Sequence, residues 1–460
     1  MSRLLPTPPA SAASRLGSVR ASVRSAAALA SLSCLLQPAH AQPAPEPQPQ
    51  TAQPAAPTSV DPETRPPAQT ARDGELDEIE AALAADEAAA QTSGSSSAGP
   101  RPAAGGARPA TAGSMNPDLT FIADFAGAYF SEDDPLQTGA HDPSETGFNL
   151  QQLELSVGSS VDPYFRFDAN LVFALAGVEI EEAYGTTLSL PFGLQARVGQ
   201  FLTRFGRLNS QHPHSWYFVD QPFALGRIFG GEGNRGLGVE VSWLTPLPWY
   251  VELVFSSMQA NGEATMRSFF GADDLDVEGP QDLLQVAALE QFFPLSPNWS
   301  LSWGLSGAFG PNASGRANRT DVYGTDVYLK FRPITEASFT VVSLQSEWMY
   351  RRRQLPEELV HDVNGYVEAF WRFEQRWATA ARYEYGSPAL DASGEVASDP
   401  LDPQWTESRH RASANLTFWP TEFSRLRLQG SRDMPGYRSA IWATFLAVEL
   451  VTGAHGAHVF

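Results

Sequence analysis

The residues of this chain best suited to chemistry are two short histidine clusters. His212 and His214 flank a proline in Leu208-Asn209-Ser210-Gln211-His212-Pro213-His214-Ser215-Trp216. His455 and His458 close the string Gly453-Ala454-His455-Gly456-Ala457-His458. Imidazole nitrogen suits zinc and copper, and Asp220, a little beyond His214, offers an oxygen donor. His212, His214 and Asp220 are therefore candidate metal ligands, with His455 and His458 as a second pair and zinc as the candidate ion. Spacings of this kind are common in loops whose histidines only hydrogen-bond their surroundings, so the structural reading stands beside the metal one. No nucleophile elbow, phosphate-binding loop or H-E-x-x-H string occurs, and no enzyme activity or resident cofactor is expected.

A second set of charges alternates with apolar residues along short segments: Arg166, Asp168, Arg197, Lys330, Arg332, Glu347, Arg372, Arg382, Arg425 and Arg427. Facing a common space, such a set either braces a wall with ion pairs or forms a ladder that sorts solutes by charge. Bracing is the expectation. Both uses require elements that turn every second residue the same way.

The chain from Met115 onward has that period. Phe165, Phe167, Ala169 and Leu171 oppose Arg166, Asp168 and Asn170. Val327, Leu329 and Phe331 oppose Asp326, Lys330 and Arg332, and Leu426 and Leu428 oppose Arg425, Arg427 and Gln429. Alternation over this length reads as strand, and the length suits a tilted strand crossing a bilayer. Periodicity alone does not separate a barrel from a sandwich, but so much strand is too large for one sandwich. Short connections such as 190–193, 246–248 and 420–422 alternate with long ones at 131–146, 206–234, 262–280, 311–320, 353–362 and 386–405, the outer-membrane pattern. Trp249, Trp299, Trp348, Tyr350, Trp377, Trp405 and Trp419 crowd strand ends, as interfacial girdles do. The final strand, around Ile441–Leu450, has two largely apolar faces and runs to a terminal aromatic, Phe460. An exposed edge of this kind invites aggregation unless it closes a barrel.

The expected fold is thus all-β: a transmembrane antiparallel β-barrel over residues 115–460, of about sixteen strands (14–18), with a lumen wide enough for water. Residues 207–235, rich in proline and aromatics, are expected to fold back and narrow it, bringing Gln211, His212, His214, Trp216 and Asp220 into the constriction.

Composition agrees. The 460 residues are 42% hydrophobic and 11% aromatic, and a net charge of −21 argues against nucleic acid as a partner. The single cysteine, Cys34, excludes an internal disulfide framework. Residues 1–41 read as a signal peptide cleaved near Ala41. Residues 42–114 are too rich in Pro, Ala, Gln, Ser and Gly to pack a core, and read as a disordered linker with one short acidic helix at 73–91.

Several stretches carry a resemblance: Asn116-Pro117-Asp118, Leu208 to Trp216 with Phe218 to Pro222, Ser346 to Arg351, Trp419 to Gln429, and Gly453 to His458. In these the chain resembles a bacterial family of porin-like outer-membrane barrels, often labelled zinc-regulated TonB-dependent outer-membrane receptors, which is similar to the phosphate-selective porins. The label implies active uptake; the barrel pattern itself implies passive flow. The expected function is an outer-membrane channel passing small polar solutes or ions by diffusion. A receptor-like barrel for zinc or a zinc complex, and a non-transporting envelope barrel, are the alternatives. Outer-membrane lipid, lipopolysaccharide, the barrel-assembly machinery and further copies of the chain are the expected partners.

Overall fold

A computed structural model describes residues 117–453 apart from 176, 263, 274–276, 316 and 335–338. The signal peptide, the linker with its 73–91 helix, and His455 and His458 lie outside the described residues. Strands β1 to β16 run Asp118–Phe130, Gly147–Ser160, Phe165–Ala174, Gly177–Thr187, Leu194–Leu202, Arg235–Leu244, Tyr250–Gln259, Leu283–Pro294, Trp299–Pro311, Arg319–Phe331, Val341–Gln354, Leu359–Glu374, Trp377–Gly386, Arg409–Thr421, Ser424–Pro435 and Ile441–Gly453. Each pairs antiparallel with its sequence neighbours, and β1 pairs with β16 from Thr120↔Gly453 to Phe130↔Ala443, closing a sixteen-stranded barrel.

The side chains follow the pleat in a sense opposite to that of a soluble protein. Along β11, Ser343, Gln345, Glu347, Met349, Arg351 and Arg353 point inward and are buried, whereas Val342, Leu344, Trp348 and Tyr350 point outward and are exposed. On β16 the outward residues Trp442, Leu446 and Leu450 are 56%, 55% and 49% exposed, while Glu449 on the inner face is buried. A continuous apolar outer band with a charged interior is unfavourable in water and stable in hydrocarbon. This inversion, which alternation alone does not reveal, decides for a transmembrane barrel over a sandwich.

Long connections at 131–146, 203–234, 260–282 and 387–408 all emerge at one end of the barrel, the loop end. The opposite, turn end has short connections such as 161–164, 375–376 and 422–423. The loop-end connections at 312–318 and 355–358 are tighter than expected, because β9 to β12 pair almost to their tips. Exposed aromatics ring both ends, with Trp243, Trp249, Trp299 and Trp371 at the turn end and Tyr129, Tyr323, Tyr350 and Trp442 toward the loop end. Trp405 and Trp419 do not join these girdles. Trp419 faces the lumen beside Arg372, and Trp405 is buried in loop 387–408 against the guanidinium of Arg227.

Two irregularities in pairing matter for the interior. Asn170 pairs with Glu182 but Leu171 with Ile180, so Glu181 is an extra residue in β4. Likewise Asp124 pairs with Gln152 and Phe125 with Leu150, leaving Gln151 extra in β2. Such bulges re-aim a side chain locally. At β4 the result is that the consecutive residues Glu181 and Glu182 are both buried.

Candidate functional site

Loop 203–234 does not stand above the barrel; it crosses the lumen. Its apolar residues form a core inside the barrel, in which Phe205, Leu208, Leu225, Ile228 and Phe229 pack with Met266 and Phe269 of loop 260–282 and with Val322 and Met349 of the wall. Phe205 fits against β10 only because residue 324 is glycine: a Cβ there would lie 2.7 Å from the Phe205 ring. Gly206, at φ 64°, supplies the left-handed backbone for the first sharp turn. Helix α1, Phe223–Phe229, is wholly buried.

Three stretches of wall hold this loop by different chemistry. At β9 and β11, Ser306 Oγ accepts the Gly206 N–H at 2.9 Å. Glu347 accepts the N–H groups of Arg207 and Leu208 at 3.0 and 2.6 Å. At β13 to β15 the wall supplies mainly guanidinium and amide groups. Arg425 and Arg427 donate to the Trp216 carbonyl, and Arg427 also to that of Phe218 at 2.6 Å. Arg382 and Gln429 each donate to Asp220 Oδ1 at 2.7 Å, and Arg411 Nη1 lies 3.3 Å from Oδ2. Glu384 accepts the Phe223 N–H at 2.6 Å and pairs with Arg382 and Arg411. Burial opposes ionisation of Asp220, but Arg382 and Arg411 outweigh it and hold the carboxyl below the ordinary aspartate value.

At β2 to β4 the signs are reversed: the wall supplies carboxylates and the loop supplies imidazoles. His212 Nδ1 lies 3.1 Å from Glu181, and its Nε2 lies 3.0 Å from both Glu182 and Asn170. His214 Nδ1 is 3.2 Å from Glu154, and the two imidazoles stack with centroids 5.8 Å apart. His141 of loop 131–146 faces Glu232 at 3.2 Å. Burial pulls the pKa of His212 down, but Glu181 and Glu154 outweigh it, leaving the group well above the usual histidine value. His141 follows the same logic, burial opposed by Glu232 and Glu181, and is pushed up to about 9.

The loop leaves two chambers. One of about 740 Å³ opens toward the turn end and is lined by Arg166, Asp168, Arg197, Lys330, Arg372 and Arg425 of the wall and by Gln211, His212, His214 and Trp216 of the loop. The other, also about 740 Å³, lies at the loop end among Arg227, Arg267, Arg353, Asp402 and Arg409. There Arg351 and Arg353 pair with Asp399, and Arg227 and Arg267 with Asp402, tying loop 387–408 to the wall and to α1.

Of the residues expected in the lumen, Arg166 pairs with Asp168 at 2.8 Å and Arg197 with Glu240 at 2.9 Å, while Arg425 pairs with Glu449. Arg372 turns to the carbonyls of Glu374 and Gln375. Arg332 lies just past β10, in turn 332–340. Gln211, His212, His214, Trp216 and Asp220 share the crossing loop, but Asp220 is not brought to the histidines; its oxygens are taken by Arg382, Arg411 and Gln429. His141, Glu181, Glu182, Glu232, Arg351 and Arg411 also belong to these anchors, although sequence pattern does not mark them as site residues. The acidic run Glu179-Ile180-Glu181-Glu182 is the sequence signal for the bulged pair.

Comparison with known proteins bears on the fold. No family model matches the chain. An uncharacterized protein of Aquifex aeolicus is 34% identical over 353 residues, covering 70% of this chain and 73% of that protein. Among solved structures, the outer membrane channel DcaP of Acinetobacter baumannii superposes with a TM-score of 0.51 at 13% identity, covering 74% of this chain and 99% of that one. An anion-selective porin from Comamonas acidovorans gives a TM-score of 0.48 at 12% identity over 73% of this chain and 99% of its own. The likeness to DcaP is one of fold, a porin-like barrel. The TonB-dependent receptor label finds no support in these relatives. Such a receptor fills its lumen with a plug folded ahead of the barrel; among the described residues, the segment crossing this lumen is the barrel's own loop 203–234.

Proposed function

We propose, from the premise that this chain belongs to one family with the Aquifex aeolicus protein, that it is an outer-membrane channel through which small polar solutes or ions pass by diffusion. The observation that carries the reading is the crossing loop, pinned to the wall around much of its circumference, with a chamber of about 740 Å³ on either side. A barrel of this size holds water, and a fixed internal loop sets the size limit of what crosses it. The outer apolar band and its aromatic rings suit outer-membrane lipid and lipopolysaccharide, reached by way of a signal peptide and the barrel-assembly machinery.

Many lumen charges are taken up by one another or by the loop, so passage is governed first by the width left beside it. The turn-end lining carries Arg166, Arg197, Arg207, Lys330, Arg372 and Arg425 against Asp118, Asp168, Glu182 and Glu368. This balance favours small anions or zwitterions over cations on the turn-end side, despite the acidic chain as a whole. No covalent chemistry is assigned. Single-channel recording in planar bilayers tests the reading: discrete conductance steps are expected, with a modest preference for the anion in a salt gradient. A purified, folded barrel that conducts nothing would sink it.

A further inference from the structure

Four glutamates and three histidines meet where loops 131–146 and 203–234 touch β2 and β4. Glu154, Glu181, Glu182 and Glu232 are all buried, and so bring four carboxylates into a space from which water is largely excluded. Among the described residues, the guanidinium closing on this group by an ion pair is that of Arg235, 3.4 Å from Glu232 and also paired with Glu179. Buried carboxylates in such excess over guanidinium are unfavourable unless positive charge, on the three imidazoles or on an ion that they bind, sits among them.

The donor atoms are arranged for an ion. One nitrogen or oxygen from each of Glu154, Glu181 and His212 lies within 4.8 Å of the others, and the same holds for His141, Glu181 and Glu232. Glu181 belongs to both triads, and it is the extra residue of the β4 bulge, turned inward beside Glu182. Nε2 of His141 is enclosed and makes no hydrogen bond, although Glu232 Oε1 is 3.2 Å away, an ion-pair distance at an unsuitable angle. The surrounding groups supply the outer contacts that metal-binding imidazoles use. With Nδ1 of His212 toward Glu181 and Glu154, its Nε2 faces Glu182 at 3.0 Å, which fixes the ring. Gln151, extra in the β2 bulge, donates to the His141 carbonyl at 2.8 Å and holds that loop in place. An ion has a way in, because Glu182, His212 and His214 line the turn-end chamber.

We propose that Glu181 is the shared ligand of a site for a divalent first-row transition metal, formed by the adjoining triads Glu154–Glu181–His212 and His141–Glu181–Glu232. Mixed imidazole and carboxylate donors suit zinc, manganese, iron or cobalt better than calcium or magnesium, which prefer all-oxygen shells. The ligands come from two loops and two strands, so a bound ion clamps the crossing loop and loop 131–146 to the wall.

The test uses the full mature chain without an affinity tag, refolded in detergent, stripped with chelator, loaded with Zn²⁺ and passed over gel filtration. At least one zinc per barrel is expected, together with a visible Co²⁺ spectrum of a site containing imidazole. Glu181→Gln should weaken zinc binding by at least about a hundredfold and His212→Ala by about tenfold or more. A His455→Ala, His458→Ala chain should bind as the parent does. Because Glu181→Gln could perturb folding, Glu154→Gln serves as a second variant, and each is first checked for β-sheet circular dichroism. A parent barrel that retains no zinc, folded glutamate variants that bind as tightly as the parent, or loss of binding only with the tail histidines would each overturn the proposal. Retention is read in detergent, independently of whether the barrel conducts.

Discussion

The crossing loop is held on two flanks of the barrel by opposite chemistry. On β13 to β15 the wall offers guanidinium and the loop offers carbonyls and the Asp220 carboxylate. On β2 to β4 the wall offers carboxylates and the loop offers imidazoles. Guanidinium keeps its charge at any pH a cell meets, so the first anchor is permanent. Imidazole is charged or metal-bound only under suitable conditions, so the second is conditional. One loop thus has a fixed end and an end that answers to its surroundings.

The difference predicts unequal responses to mutation. Asp220→Ala should have the largest effect, because it leaves the buried Arg382 and Arg411 to share the single carboxylate of Glu384 and frees the loop from Gln429: a loss of about 3–5 kcal/mol, read by thermal unfolding, with larger single-channel conductance as the loop is released. Unchanged conductance would mean that this flank does not hold the loop. Glu347→Ala removes the acceptor for two loop N–H groups and should cost about 1–3 kcal/mol, with easier protease cleavage between residues 203 and 212 as the direct readout. His212→Ala in metal-free protein should cost less than Asp220→Ala, about 1–2 kcal/mol, because the carboxylates it leaves behind can take up protons. Equal losses at Asp220 and His212 would erase the distinction between the flanks. The smallest effect concerns acid. Asp220 has its folded pKa below the unfolded value of about 3.9, so its contribution is complete above that pH and fades only as pH falls through the lower folded value. Conductance and unfolding temperature should therefore show no transition from this anchor between about pH 7 and pH 5.

Much of this architecture was legible in the sequence, and the illegible part has physical causes. Strict alternation in segments such as Ser424 to Gln429 marked the strands, and proline with aromatic side chains marked the loop that turns inward. The same rule hid Glu181, since an alternating pattern assigns Glu181 and Glu182 to opposite faces and a one-residue bulge puts both on the inside. Sequence proximity groups Asp220 with the histidines, but a chain that crosses a barrel carries residues only a few apart to different walls. The place of Trp419 near a strand end suits a girdle residue; only the parity of β14 shows that it points inward. His141 had no signal at all, because its partners lie on other strands and another loop.

The seam between β1 and β16 has a consequence for how the molecule comes into being. Phe121 pairs with Thr452, so the first strand waits for the last before the ring can shut. Contacts between such distant parts of a chain form slowly, since the entropy of closing so large a loop is lost before any reward arrives. The crossing loop has the same dependence: Val219 is fixed by Gln429 and Asp220 by Arg411, partners more than half a barrel later in sequence. Its β13 to β15 fastenings can be made only after those strands are delivered. The constriction is therefore among the last features to be set, and the barrel passes through a stage in which its interior is wider than in the finished protein.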